Sequence, residues 1–419
     1  MTSGCLTIQP TNISVMWKTV SEACNLACNY CYYSRCGGRP GRIQRIDDDV
    51  LEKFIKEYMA LSNGVASFTW QGGEPMLAGL DFFKKVVELQ AKYAPRNTMI
   101  TNAIQTNGTL ITEKWARFFK EYNFLVGVSI DGPRKINDKR RVTAAKTGSF
   151  QRIMKGIENL RKYQVDFNIL TVVHEDNVHR PRELMEFYER EGFRFVQFIP
   201  GMDFRAQEAY KEPQYLITPK EYGDFLCEVF DIWYNDGYPK MSIRFFDTML
   251  NVYLNRQADL CIHRKYCANT IVLEQNGDAY PCDFYIQDDY KLGNVGTDRL
   301  EDLLNSEIYR KFRQLKPTIP EKCKGCEFLK LCHGGCPRNR IWSFQNDQVH
   351  VDPDYFCESY KQVYAYAHER MQVVATNVKR RWINEYVRSG GKLPERNARC
   401  LCGSGKKFKK CCALLLEMN

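Results

Sequence analysis

Between residues 14 and 201, short apolar runs of β type alternate with stretches whose apolar residues recur at helical spacing. The runs Ser14–Val20, Ala66–Gln71, Met99–Thr106, Phe124–Ile130, Asp166–Val173 and Phe193–Ile199 predict strands, and segments such as Asp49–Leu61, Asp81–Tyr93 and Phe150–Tyr163 predict helices. Six β/α units of this kind predict an α/β fold, a parallel sheet covered by helices, either doubly wound or a barrel. Chemistry in such folds gathers where strands end, which here means Gln71-Gly72-Gly73-Glu74, Gln105-Thr106-Asn107-Gly108 and Ser129-Ile130-Asp131-Gly132. A helical pattern leads out from Thr218, and beyond about residue 240 the pattern turns irregular. A second helical stretch, Tyr360–Tyr386, precedes Gly390-Gly391, which predicts a hinge before a small C-terminal module.

The irregular region is dense in cysteine. Of 18 cysteines in 419 residues, only Cys227 falls between residues 37 and 260. No apolar stretch approaches the about 20 residues a membrane helix needs, and no basic start with an apolar run marks a secretory signal, so a cytoplasmic protein with no membrane partner is expected. Close-spaced thiols in that compartment point to metal rather than disulfides. The net charge of +10 suggests a polyanion partner until metal is counted. Eleven thiolates on three [4Fe–4S] clusters and four on one zinc ion would bring the total to about +3.

Cys24-x3-Cys28-x2-Cys31 follows the first strand, and three thiolates can hold a [4Fe–4S] cluster with one iron left open for a ligand. Zinc is a poorer match, because three ligands do not close a tetrahedral structural site. The triad, the aromatic run Tyr30, Tyr32 and Tyr33, and Gly72-Gly73-Glu74-Pro75 after the second strand resemble the radical S-adenosylmethionine enzymes. The resemblance implies that the open iron binds S-adenosylmethionine and that reduction yields a 5′-deoxyadenosyl radical. It also implies cofactor contacts from Tyr33, Gln71, Gly72, Gly73, Glu74 and Ser129.

Further along, Cys261, Cys267, Cys282, Cys323, Cys326, Cys332, Cys336 and Cys357 supply enough thiols for two complete four-thiolate sites, iron–sulfur or zinc by spacing alone. This stretch resembles the SPASM extension of peptide-modifying radical enzymes. The resemblance implies two auxiliary [4Fe–4S] clusters, one on Cys261, Cys267, Cys282 and Cys336, the other on Cys323, Cys326, Cys332 and Cys357. The fold class expected is therefore a partial (β/α)6 radical S-adenosylmethionine barrel followed by a cysteine-rich SPASM domain and a small zinc-binding module. The corresponding domains are residues 1–238, 239–375, a helical linker 376–396, and 397–419.

Gln71–Pro75, Gln105–Leu110, Val126-Gly127, Ser242–Asp247 and Tyr280–Tyr285 narrow the resemblance to the anaerobic sulfatase-maturating enzymes, over roughly residues 14–370. That family oxidises a cysteine or serine of a sulfatase to Cα-formylglycine. The resemblance implies Asp283 as the base and the auxiliary clusters as electron acceptors. It places Gln105, Asn107 and Arg244 on the substrate side, and it implies a sulfatase-type peptide partner and a low-potential donor such as flavodoxin or ferredoxin. Pro337-Arg338-Asn339-Arg340 after Cys336, and the long spacer to Cys357, depart from the family pattern.

Last, Cys400-x-Cys402-x8-Cys411-Cys412 sets four thiols around a glycine-rich basic turn, a donor set for tetrahedral zinc. It resembles the SEC-C motif, and four closed ligands suit a docking module for a partner better than catalysis. Two competing functions are a SPASM maturase that crosslinks a ribosomal peptide, which often carries an additional N-terminal recognition domain, and a metal-rich interaction protein without turnover. The latter needs neither an open iron nor the Gly-Gly-Glu-Pro loop.

Overall fold

The computed structural model describes residues 13–203, 214–345 and 348–416, so Cys5 lies outside the described residues. The chain forms two compact units that interleave along the sequence. The first comprises the residues up to Asn177, Ile199–Ile217 and Ala268–Leu315, and the second Val178–Phe198, Thr218–Cys267 and the residues from Lys316 on.

In the first unit the order is β1 (Ser14–Lys18), α1 (Asp48–Leu61), β2 (Val65–Gln71), α2 (Leu80–Tyr93), β3 (Met99–Thr106), α3 (Glu113–Glu121), β4 (Leu125–Ser129), α4 (Arg134–Arg140), α5 (Phe150–Lys162) and β5 (Phe167–Val173). Strands β1 to β5 pair in sequence and in parallel. Period-two alternation gives each strand one apolar face. Val15 and Trp17 of β1, and Ala66, Phe68 and Trp70 of β2, are buried against the helices. Trp17 stacks on Trp70 at 5.7 Å and meets the edge of Phe54 of α1 at 5.1 Å. The same alternation turns Lys18 and Gln71, which are register partners, to the opposite face. Helix α1 begins where the Asp47 carboxylate accepts from the Asp49 and Val50 N–H groups, and it buries Leu51, Phe54, Ile55, Tyr58 and Met59 as one stripe.

The sheet continues past β1. Strand Thr270–Leu273 pairs in parallel with β1, and Asp278–Tyr280 and Gly293–Asn294 follow antiparallel. The sequence pattern reads this stretch as irregular because strands of two to four residues show no period.

In the second unit, α6 (Pro181–Arg190) precedes the first residues of β6 (Phe195–Pro200), which pair with Ser242–Ile243. Helix α7 (Pro219–Tyr234) starts with a reciprocal capping box between Thr218 and Glu221, the start the sequence predicts. A long helix, Cys357–Arg388, packs along α7: Arg370 lies 4.8 Å over the Phe230 ring and 2.7 Å from Asp231. The expected hinge is a fitted turn. Gly390 (φ +82°) ends the helix, and a Cβ on Gly391 would fall 2.4 Å from the Tyr386 ring. The knuckle beyond is packed on the helix end through Ile383, Phe408, Cys400 and Cys412. No helix among the described residues is long and apolar enough to cross a membrane.

Candidate active site

Strand ends and loops of the first unit surround a cavity of about 470 Å³. Its lining contains Cys24, Cys28, Cys31, Tyr33, Gln71, Gly72, Gly73, Gln105, Asn107, Ser129 and Asp283, so the first three cysteines and most of the residues expected around the cofactor and substrate meet in one place. The cysteine loop is tied down by the Ala27 N–H to the Val142 carbonyl (2.7 Å), and the glycine turn by Gly73 N–H to Ser21 and Glu74 N–H to Ala23. Gly73 is required there because a Cβ would stand 2.1 Å from the Ala23 carbonyl oxygen. Gly127 makes room for Gln105, whose Nε2 donates to Ser129 Oγ at 2.9 Å.

Two of the residues expected to contact cofactor or substrate do not line the cavity. Glu74 is fully buried, and its carboxylate accepts from Met76 N–H (3.0 Å), Asn107 N–H (2.8 Å) and the Thr106 hydroxyl (2.8 Å). It thereby holds the turn that carries Asn107, whose Nδ2 reaches Asn25 Oδ1 at 2.8 Å and Cys24 Sγ at 3.8 Å. Arg244 belongs to the second unit, where its Nη1 donates to Gln197 Oε1 at 2.8 Å. Tyr33 does line the cavity, with its hydroxyl donating to Glu274 at 2.7 Å.

Burial pushes the Cys24 thiol well up and Cys28 up to about 11, the latter eased by the Arg141 guanidinium. Such thiols stay protonated until a metal binds the sulfur and displaces the proton. Arg141 lines the same cavity, is 6% exposed, and leaves its buried Nε without a partner among the described residues, while its Nη1 donates to Tyr30 Oη at 2.8 Å. Tyr30 in turn donates to the buried Asp131. Three thiols on one loop beside an orphaned guanidinium N–H fit a three-thiolate cluster with an anionic group of a bound ligand at its open side. Sequence reasoning misses Arg141, because a basic run, Lys139-Arg140-Arg141, reads as an exposed helix end.

Asp283 is held from two sides. Its Oδ2 accepts from Tyr32 Oη at 2.7 Å, and its Oδ1 pairs with the ammonium of Lys18, a fully buried side chain whose Nζ also lies 4.3 Å from the Tyr33 ring centre. Sheet pairing makes this contact. Val272 pairs with both Met16 and Tyr280, so the turn after Tyr280 lies beside the end of β1. Nothing in the local sequence of β1 marks Lys18.

Within the second unit, Cys323, Cys326, Cys332 and Cys357 line one enclosed pocket with Phe328, Tyr360 and Tyr364. Cys261, Cys267 and Cys336 belong to this unit and Cys282 to the first. Lys316 and Arg340 are buried among these thiols, with Lys316 Nζ on the Ile262 carbonyl at 2.9 Å and Arg340 Nη1 on Thr318 at 2.7 Å. Two buried cations among thiols fit a clustered negative charge. In the C-terminal knuckle the Sγ atoms of Cys400, Cys402, Cys411 and Cys412 all lie within 4.8 Å of one another. Tetrahedral zinc needs sulfurs about 3.8 Å apart, so the set fits that ion.

The model of the radical SAM superfamily matches residues 19–188, that of an iron–sulfur cluster-binding SPASM domain residues 261–327, and that of the SEC-C motif residues 396–414. The cysteine-type anaerobic sulfatase-maturating enzyme of Clostridium perfringens is 38% identical over 371 residues, covering 88% of this chain and 99% of that protein. The chain belongs to the anaerobic sulfatase-maturating enzyme family. The serine-type member from Bacteroides thetaiotaomicron is 37% identical, covering 84% and 88%. A solved structure of native anSMEcpe with bound AdoMet and Cp18Cys peptide superposes with a TM-score of 0.79 at 38% identity, over 87% of this chain and 99% of that one. The chain is thus a radical S-adenosylmethionine enzyme with a SPASM domain, as its sequence implies, and the reading of an interaction protein without turnover falls away.

Proposed function

We propose that this enzyme oxidises a cysteine or serine side chain in a sulfatase-type peptide to Cα-formylglycine, with Asp283 as the base. The observation that carries the reading is the Asp283 carboxylate on the wall of the cavity that also holds Cys24, Cys28 and Cys31. The change removes two hydrogens from the Cβ–S–H or Cβ–O–H unit, one from carbon as an atom, the other as a proton with an electron left to pass on; serine then gives the aldehyde directly, and cysteine gives a thioaldehyde that water converts to the aldehyde with release of hydrogen sulfide. S-adenosylmethionine on the Cys24–Cys28–Cys31 cluster would supply the hydrogen-atom acceptor, and two fully ligated auxiliary clusters the electron acceptor. The chain's own residues do the rest. Arg141 and Ser129 bind the polar ends of the cofactor, with Tyr33, Gln71, Gly72 and Gly73 around it; Gln105 and Asn107 line the approach of the peptide; Asp283 takes the proton. Glu74 acts by holding the turn of Asn107, and Arg244 is assigned to the peptide side by family resemblance.

The eight SPASM cysteines are assigned to two [4Fe–4S] clusters as the resemblance implies, and one zinc ion to the knuckle, read as a docking module. The relatives act as cysteine-type and serine-type maturases, and either substrate fits a base that accepts from S–H or O–H. The test is mass spectrometry of a peptide carrying Cys-x-Pro-x-Arg or its Ser counterpart, deuterated at Cβ and incubated anaerobically. Loss of one deuterium from Cβ and one proton is expected, as aldehyde from the Ser peptide and as thioaldehyde or its hydrolysed aldehyde from the Cys peptide, with the deuterium in 5′-deoxyadenosine. Asp283→Asn should still cleave some S-adenosylmethionine and lose most aldehyde, by about 10²-fold or more. A crosslinked product without a carbonyl would favour a thioether maturase.

A further inference from the structure

We propose that Lys18 is a positioning residue for the oxidation: its ammonium fixes the carboxylate of Asp283 in the orientation that receives the substrate proton. The inference rests on the reading of Asp283 as the base. Three observations carry it. Lys18 is 0% exposed, a state lysine reaches only with a partner, and its Nζ pairs with Asp283 Oδ1. The Tyr32 hydroxyl holds the other oxygen at 2.7 Å, so the carboxylate plane is gripped at both ends. Finally, the two ends of the pair differ in rigidity. Asp283 lies on a turn after Asp278–Tyr280, whereas Lys18 ends β1, a strand flanked by β2 and by Thr270–Leu273. A strand-borne cation anchoring a loop-borne carboxylate gives the turn the precision of the sheet.

Stability alone does not account for the pair. Replacing a buried ion pair by apolar side chains is commonly neutral or favourable, and the Tyr33 ring beside Lys18 would accept one. Lys18 therefore earns its burial through the geometry of Asp283.

The test uses the cluster-loaded enzyme and four forms: wild type, Lys18→Met, Asp283→Asn and the double variant. In Lys18→Met, aldehyde formed per 5′-deoxyadenosine should fall about 10²-fold, with iron content and the affinities for S-adenosylmethionine and peptide unchanged. On the Asp283→Asn background the same change should add nothing. The thermal midpoint of Asp283→Asn, which leaves a buried ammonium unpaired, should recover in the double variant. Wild-type coupling in Lys18→Met, or an equal further loss on the Asp283→Asn background, would overturn the proposal. Loss of iron in both Lys18→Met and the double variant would make Lys18 structural and overturn it too. Wild-type product from Asp283→Asn would instead remove the base reading, whatever Lys18 does.

Discussion

Glu74→Gln separates charge from shape at the turn that supports the cavity. Glu74 is fully buried and accepts from the N–H groups of Met76 and Asn107 and the Thr106 hydroxyl, with the Arg141 charge acting on it more weakly than these hydrogen bonds. Burial pushes its carboxyl from the ordinary 4.5 up to about 7, against the pull of those hydrogen bonds. The folded state therefore favours the neutral acid, and the Thr106 hydroxyl can turn to accept its proton. Stability from this group is fully present below pH 4.5 and is lost as pH rises through about 7. The loss amounts to about 3 kcal/mol by pH 8.5. Glutamine has the same shape and never ionises, but its NH2 must face one of the two backbone N–H groups, a cost of about 1–3 kcal/mol at every pH. The variant should be the less stable protein at pH 5.5 and equal or exceed the wild type at pH 8.5. Thermal unfolding of anaerobic, cluster-loaded protein across that range, followed by circular dichroism, reads the difference. Parallel pH slopes in the two proteins would show that Glu74 is ionised throughout and refute the reasoning.

Asp247 offers a second titration away from the thiols. Burial raises it to about 6 despite the Ser242 hydroxyl, so Asp247→Asn should stabilise the protein by up to about 3 kcal/mol at pH 8 and by progressively less toward pH 4. Anaerobically reconstituted protein should hold about 12 iron atoms, and replacing Cys24, Cys28 and Cys31 by Ala should remove about four; intact protein with about four would exclude the auxiliary clusters. In the knuckle, Phe408→Ala deletes a ring that is 4% exposed against Ile383, at about 3–5 kcal/mol. Zinc release to a chelator should accelerate, while turnover of a short peptide should persist; loss of turnover would place the knuckle in the catalytic machinery.

Much of the site was legible in the residues because its parts are local. Cys24, Cys28 and Cys31 share one loop, and Gln71, Gln105 and Ser129 each lie in the last two residues of a strand whose alternation can be read directly; parallel pairing then brings strand ends to one side of a sheet. The knuckle is legible for the same reason, since its four thiols lie within thirteen residues. What depends on pairing between distant segments was not. Strand Thr270–Leu273 lies more than 250 positions beyond β1 and is too short to show a period, yet its register decides that Asp283 meets Lys18. Arg141 looks like a surface charge until the fold buries it beside Cys28, and Glu74, by motif a cofactor contact, is turned inward by donors from the end of β3. Sequence by itself determined which groups carry the chemistry, because residue type and short spacing set a ligand's valence. Only tertiary structure decided which of them face one another, because burial and charge pairing are properties of surfaces that meet across the chain.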